Sequence, residues 1–310
     1  MGKYIIKRIM ILVPTLLAII FIVFGIMNLT PGNPAELMLG QQATPAAIAE
    51  LNHELGLDRP FIVRYGDYVL ELVQGDMGKS YTTNRSVFNT IVSRFPTTVK
   101  LATIAILLAI LIGVPLGVVA AVRQYSIFDI LGTSAAMFMA SMPAFWFGLL
   151  AILLFSLKLR WLPSIGVDKW QGYILPAFTL AIPVAASLLR MTRTTMLETI
   201  RQDYIRTARA KGQTENKVIF HHALKNALLP VVTVAGMEFG WLLGGAVVIE
   251  TVFSINGVGK LIIEAIRMKD VPQVTGCALF LSFFFMVVML FVDILYAYID
   301  PRIKARYQRG

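Results

Sequence analysis

At 310 residues, with 57% apolar and only 15% charged, the chain lacks the polar surface that a water-soluble protein of its size needs. A mean hydropathy of +0.71 makes lipid the solvent for much of it. One cysteine, Cys277, excludes a disulfide framework, and three histidines (His53, His221, His222) argue against a His-based metal site; the net charge of +10 becomes informative only through its placement.

A membrane-crossing helix needs about 20 mostly apolar residues, because lipid offers its backbone amides no partner. Six stretches meet that condition: residues 9–27, 101–122, 130–157, 171–189, 228–249 and 274–298. The first is longer than a signal-peptide core and no small-x-small cleavage site follows it, so it reads as a retained span. Six crossings put both termini on one side. The N-terminus, the 123–129 turn, the 190–227 loop and the 299–310 tail hold 16 of the 28 Lys and Arg residues, which assigns them to the cytoplasm. Lys158, Arg160 and Lys169, on a short outer loop, run against that tendency. With the positive charge spread along one membrane face, no nucleic-acid partner is expected. The chain divides into residues 1–27 (N-terminus and first span), an extracytoplasmic segment at 28–98, a transmembrane domain at 99–298 and the tail.

The outer segment is patterned for helices. Thr44 suits an N-cap and Pro45 the first helical position, with Ile48, Leu51 and Leu55 at helical spacing before Gly56. A second helix is predicted over 60–73. A third is predicted to start at Ser86, with Val87, Ile91 and Phe95 on one face, and to lie along the membrane surface before the second span. Two stretches imitate a phosphate-binding loop. Gly78-Lys79-Ser80 lacks the early glycine, where Val73 stands; Gly257-Val258-Gly259-Lys260 has Ser254 at that place and Leu261 instead of Ser or Thr. Neither follows a buried parallel strand, and no hydrolase or metalloprotease motif is present, so an enzyme reading has no support.

Ionisable groups at membrane depth are costly and face protein or water. Glu238, in the fifth span, is therefore a candidate for lining a pathway, with a structural hydrogen-bonded or paired role equally weighted. Asp293, near the end of the sixth, reads as structural. Gly236, Gly240 and Gly244 repeat every four residues, as do Gly113 and Gly117, which suits close helix packing or a subunit seam. Pro115, Pro143 and Pro183 predict kinks or breaks. Met137, Met139 and Met142 read as packing rather than soft-metal ligands, and no metal site is expected.

The segment from Asp203 to Gly212 (DYIRTARAKG) is a polar helix with a glycine stop, followed by a second helix over about 215–228 that enters the fifth span at Pro230. Eight cations against three acids keep the 190–227 loop out of lipid. Such a helix–glycine–helix element at the membrane face can transmit force from a cytosolic partner.

With His221-His222-Ala223-Leu224-Lys225-Asn226-Ala227-Leu228-Leu229-Pro230, this segment resembles the EAA loop of integral-membrane permeases in binding-protein-dependent ABC importers. Its form is similar to the B-type permease of the dipeptide/oligopeptide/nickel group. Pro31-Gly32-Asn33-Pro34, Leu55-Gly56-Leu57-Asp58-Arg59-Pro60, Gly75-Asp76-Met77-Gly78-Lys79-Ser80, Ile174-Leu175-Pro176, Glu250-Thr251-Val252-Phe253 and Gly257-Val258-Gly259 extend the resemblance over nearly the whole chain. The chain departs from the general form in carrying Arg206-Thr207-Ala208 for Glu-Ala-Ala, and Pro230 stands 18 residues after Gly212, five further than usual.

The resemblance implies an all-α type I importer permease fold in a bacterial or archaeal cytoplasmic membrane. It implies a partner permease, two ABC ATPase subunits that bind ATP and Mg, and an extracytoplasmic solute-binding protein, with no cofactor in this chain. The coupling loop at 192–228, through Asp203, Arg206, Thr207, Ala208, Arg209, Lys211, Gly212 and Glu215, would dock on an ATPase subunit. The expected cargo is a di- or oligopeptide, with glutathione or a nickel complex as alternatives. A proton-coupled secondary transporter using Glu238 and Asp293, or a receptor-like membrane protein, are the rival readings.

Overall fold

The computed structural model describes residues 2–40 and 43–299. All described elements are helical apart from one isolated bridge between Lys79 and Ser86. In chain order they are α1 (Gly2–Leu29), α2 (Pro34–Leu39), α3 (Pro45–Glu54), α4 (Phe61–Val73), α5 (Val87–Val122), α6 (Ile127–Ser141) and α7 (Ala144–Ala151). Then follow α8 (Ile174–Ile200), α9 (Asp203–Ala210), α10 (Glu215–Lys217), α11 (Leu224–Gly245), α12 (Val247–Val252), α13 (Val258–Arg267) and α14 (Val271–Ile299). Among the described residues five helices are long and apolar enough to cross a membrane, and a sixth span arises if the bent pair α6–α7 is taken together.

The third expected span, 130–157, is not one rod. It breaks at Met142–Pro143 and turns by 98°. Pro143 cannot donate to the preceding turn, and Met142 before it is held extended (ψ 136). A π-helical turn, Ile152–Lys158, continues α7. Kinks or breaks are expected at Pro115 and Pro183 too; both lie inside helices with no break. The expected surface helix after Ser86 is corrected as well: Ser86 caps a single 36-residue helix that runs on through the second span. Val87 and Ile91 are fully buried, packed with Val258, Cys277 and Phe280. An apolar helix face looks the same in sequence whether lipid or protein covers it.

α8 is the central span. Leu180, Ala181, Val184 and Leu188 sit in the main core with Leu101, Ala105 and Ala109 of α5 and Leu242 of α11. In lipid no hydrophobic force drives helices together, so close backbone approach must supply the packing energy. Gly113 and Gly117 make it possible: a Cβ on Gly113 would lie 2.5 Å from the Ala185 carbonyl oxygen, and one on Gly117 2.7 Å from that of Leu189. The second helix expected in the polar loop is also redrawn. It starts at Glu215, passes through a π-helical turn at Val218–Ala223 and continues without interruption through Pro230 to Gly245.

The long helices define two ends. The described residues of the 30–86 segment lie at one, the insertion face; α9 and α10 lie at the other, the loop face. Arg8 Nη2 of α1 meets Asp293 Oδ2 of α14 at 2.6 Å, so the first and last spans stand side by side. The tail beyond Ile299 lies outside the described residues.

Candidate functional site

The loop face carries the helix–glycine–helix element. Gly212 adopts φ +77, a conformation that glycine takes at no steric cost, and this reverses the chain between α9 and α10. Arg209 clamps the turn with a bidentate pair across it: Nε to Glu215 Oε2 at 3.1 Å and Nη2 to Oε1 at 2.6 Å. That fork geometry is among the stronger hydrogen-bonded charge pairs. One face of α9 is anchored. Ile205 is fully buried with Val118 and Ala121 from α5, Met196 from α8, and Val218, Ile219 and Ala223 ahead of α11, and Ala208 packs at the edge. Tyr204 Oη accepts a hydrogen bond from the Asn226 amide at 3.1 Å.

Everything else on the element points to solvent. Asp203 and Arg206 are 97% and 75% exposed and stand 3.7 Å apart. Thr207 donates its hydroxyl to the Asp203 carbonyl, and Lys211 is exposed, its backbone N–H closing on the Thr207 carbonyl. Asp203, Arg206, Thr207, Ala208, Arg209, Lys211, Gly212 and Glu215 are thus gathered into one compact projection. Through Ile205 that projection packs against the ends of three spans.

Glu238 and the glycine repeat lie apart from it, in α11. A Cβ on Gly236 would collide with Val292, and one on Gly240 would lie 3.0 Å from Phe285, so both face α14; Gly244 has nothing within 4 Å of that point. Glu238 is half-buried.

Several polar contacts were not foreseen. At the loop face Arg193 of α8 holds Asp129 of α6 bidentately, at 2.6 and 2.8 Å. At the insertion face both phosphate-loop look-alikes enclose carboxylates of the same chain. Glu250, fully buried, accepts from the Thr98 hydroxyl at 2.6 Å and the Lys260 N–H at 3.0 Å, while Val258 N–H donates to Thr98 Oγ1 at 2.9 Å. Gly257 and Gly259 have no room for a side chain there: a Cβ on the former would collide with Glu250, and one on the latter would sit 2.5 Å from Val247 Cα. Asp270, also buried, accepts from the Ser80 and Thr82 hydroxyls at 2.5 and 3.0 Å and from the Tyr81 N–H at 3.1 Å. Next to it, Lys269 Nζ donates to the carbonyls of Thr30 and Gly32. Closely spaced glycines marked both loops in the sequence; that the bound anion would be internal was not legible. Backbone amides in such concave turns favour any oxygen anion, carboxylate or phosphate alike.

Residues 113–305 match the family described as binding-protein-dependent transport system inner membrane component, and residues 1–102 match its N-terminal membrane component. The chain is 42% identical to the dipeptide transport system permease protein DppB of Alkalihalophilus pseudofirmus, over 98% of this chain and 100% of that one. It is equally identical, at 42%, to the glutathione transport system permease protein GsiC of Salmonella typhimurium, over 98% and 99%. Among solved structures, the inward-facing MetNI methionine ABC transporter superposes with a TM-score of 0.57 at 18% identity, covering 69% of this chain and 97% of that one. An amino acid ABC transporter gives 0.52 at 14% identity, over 69% and 94%. At those identities the structural likeness speaks for the fold alone. The sequence matches, running from residue 1 to residue 305, carry the conclusion: the chain is a multi-pass membrane protein of the binding-protein-dependent transport system inner membrane component family, a permease subunit of an ABC importer.

Proposed function

We propose that this permease passes short peptides inward, as half of a pathway shared with a second permease, and is driven from the cytoplasm through α9 and α10. On this reading the loop face is cytoplasmic, as are both termini, and the insertion face receives a loaded solute-binding protein. The dipeptide and glutathione permeases that this chain resembles at equal identity support a cargo class of short peptides, γ-linked ones included.

The observation that carries the coupling role is the anchoring of α9. A projection exposed on three sides but locked through Ile205 to α5, α8 and α11 is suited to dock in a groove of an ATPase subunit and hand on its movement. ATP-driven closure of two such subunits would then bias the permeases between outward- and inward-facing states. A partner shifts that balance only by binding one state better than the other.

Gly212 supplies the test. Nothing lies within 4 Å of a Cβ built there, so substitution costs backbone conformation rather than space. A β-branched residue at φ +77 is strained, whereas Asn tolerates the left-handed region. In the complete importer, Gly212→Val is expected to lower substrate-stimulated ATP hydrolysis roughly tenfold, with Gly212→Asn close to wild type. Deleting residues 209–215 should abolish it. Hydrolysis unchanged in both the valine variant and the deletion would overturn the docking role.

A further inference from the structure

α11 is covered on two sides. Gly236 and Gly240 face α14, and Val231 and Leu242 are buried with α5 and α8. A third face carries Met237 and Trp241, which are 42% and 57% exposed. Glu238 stands two positions from each glycine, so at about 100° per residue it points away from α14, on the border of that open face. Its carboxylate has no hydrogen-bond or ion-pair partner among the described residues. It lies seven residues before the helix end at Gly245, about 10 Å along the axis. An acid at that depth faces water or protein rather than lipid.

A carboxylate with an indole one turn further on is a pairing that binds a primary ammonium group, the first through charge and hydrogen bonds, the second through its ring face. We propose that Glu238 and Trp241 form the recognition point within the pathway for the protonated amino terminus of the passenger peptide. This rests on the peptide-importer reading and adds to it the residues and the chemical group they take. One carboxylate and one ring hold a passenger without trapping it, since the remaining lining of that face, Met237 and Gly244, offers no further charge.

The test uses the complete importer in proteoliposomes with saturating dialanine-loaded binding protein, reading uptake and ATP hydrolysis together. Glu238→Gln is expected to lower dialanine uptake about tenfold while stimulated ATP hydrolysis stays within about twofold of wild type. Glu238→Asp should recover most of the uptake, and Trp241→Phe should outperform Trp241→Leu. Wild-type uptake by the glutamine variant overturns the proposal. So does an aspartate variant as impaired as the glutamine one, which marks packing rather than charge. Uptake and ATP hydrolysis lost together overturn it in favour of a seam between permeases. A wild-type importer that takes up neither dialanine nor glutathione overturns the peptide reading itself.

Discussion

His53 at the end of α3 places Nδ1 2.8 Å from Asp58 Oδ2, both side chains being solvent-exposed. The hydrogen bond and charge of Asp58 raise the His53 pKa above its ordinary value, and the same hydrogen bond lowers that of Asp58. A raised histidine contributes stability that is complete below its unfolded pKa and is lost as pH rises through the folded one. A depressed carboxylate contributes above its unfolded pKa and loses that as pH falls through the folded one. The pair therefore holds the α3 end between those two limits. NMR titration of His53 should give a pKa above 6.5, and Asp58→Asn should return it to the ordinary value; a His53 that titrates normally in the wild type would remove the contact from solution. Lys269 shows the opposite sign, its pKa lowered by burial while its ammonium caps two backbone carbonyls.

Between elements, the crossing of α5 and α8 leaves no room for a side chain at Gly113. Adding one methyl at Gly113 sets it against the Ala185 backbone carbonyl, which cannot rotate away. Overpacking of that kind costs about 1–3 kcal/mol, so Gly113→Ala should lower the thermal midpoint of the purified protein. Gly132 of α6 has nothing within 4 Å, and Gly132→Ala should leave that midpoint unchanged or raise it, since Ala is the better helix former. Equal effects at the two glycines would mean that α5 and α8 are not in contact as described. These elements differ in how far the sequence revealed them. Apolar runs gave the spans, and the Asp203–Gly212 pattern gave α9 with its stop almost to the residue. The 98° bend at Pro143, against unbroken passage through Pro115 and Pro183, was hidden, because a proline's effect depends on whether neighbouring helices support the freed carbonyl. The Asp129–Arg193 and Asp270–Ser80 contacts join residues 64 and 190 positions apart, beyond the reach of any local pattern.

For the whole molecule, Arg8 and Asp293 join the first span to the last with side chains 43% and 22% exposed. A pair that open to water contributes about 0.2–1 kcal/mol. The double swap Arg8→Asp with Asp293→Arg should regain most of the thermal stability that either single change removes. Non-recovery would place the two ends apart in the assembled importer. The opposite face is joined in another manner. Glu250, Lys269 and Asp270 stand within a stretch of 21 residues. They bind the start of α13 to α5, the turn after α1 to the turn before α14, and the 80–82 loop to α14. Most of these ties end on backbone or hydroxyl groups in buried positions, where salt screens weakly. With these ties intact, that surface is expected to move as a single plate, taking up torque from the far ends of the spans without coming apart.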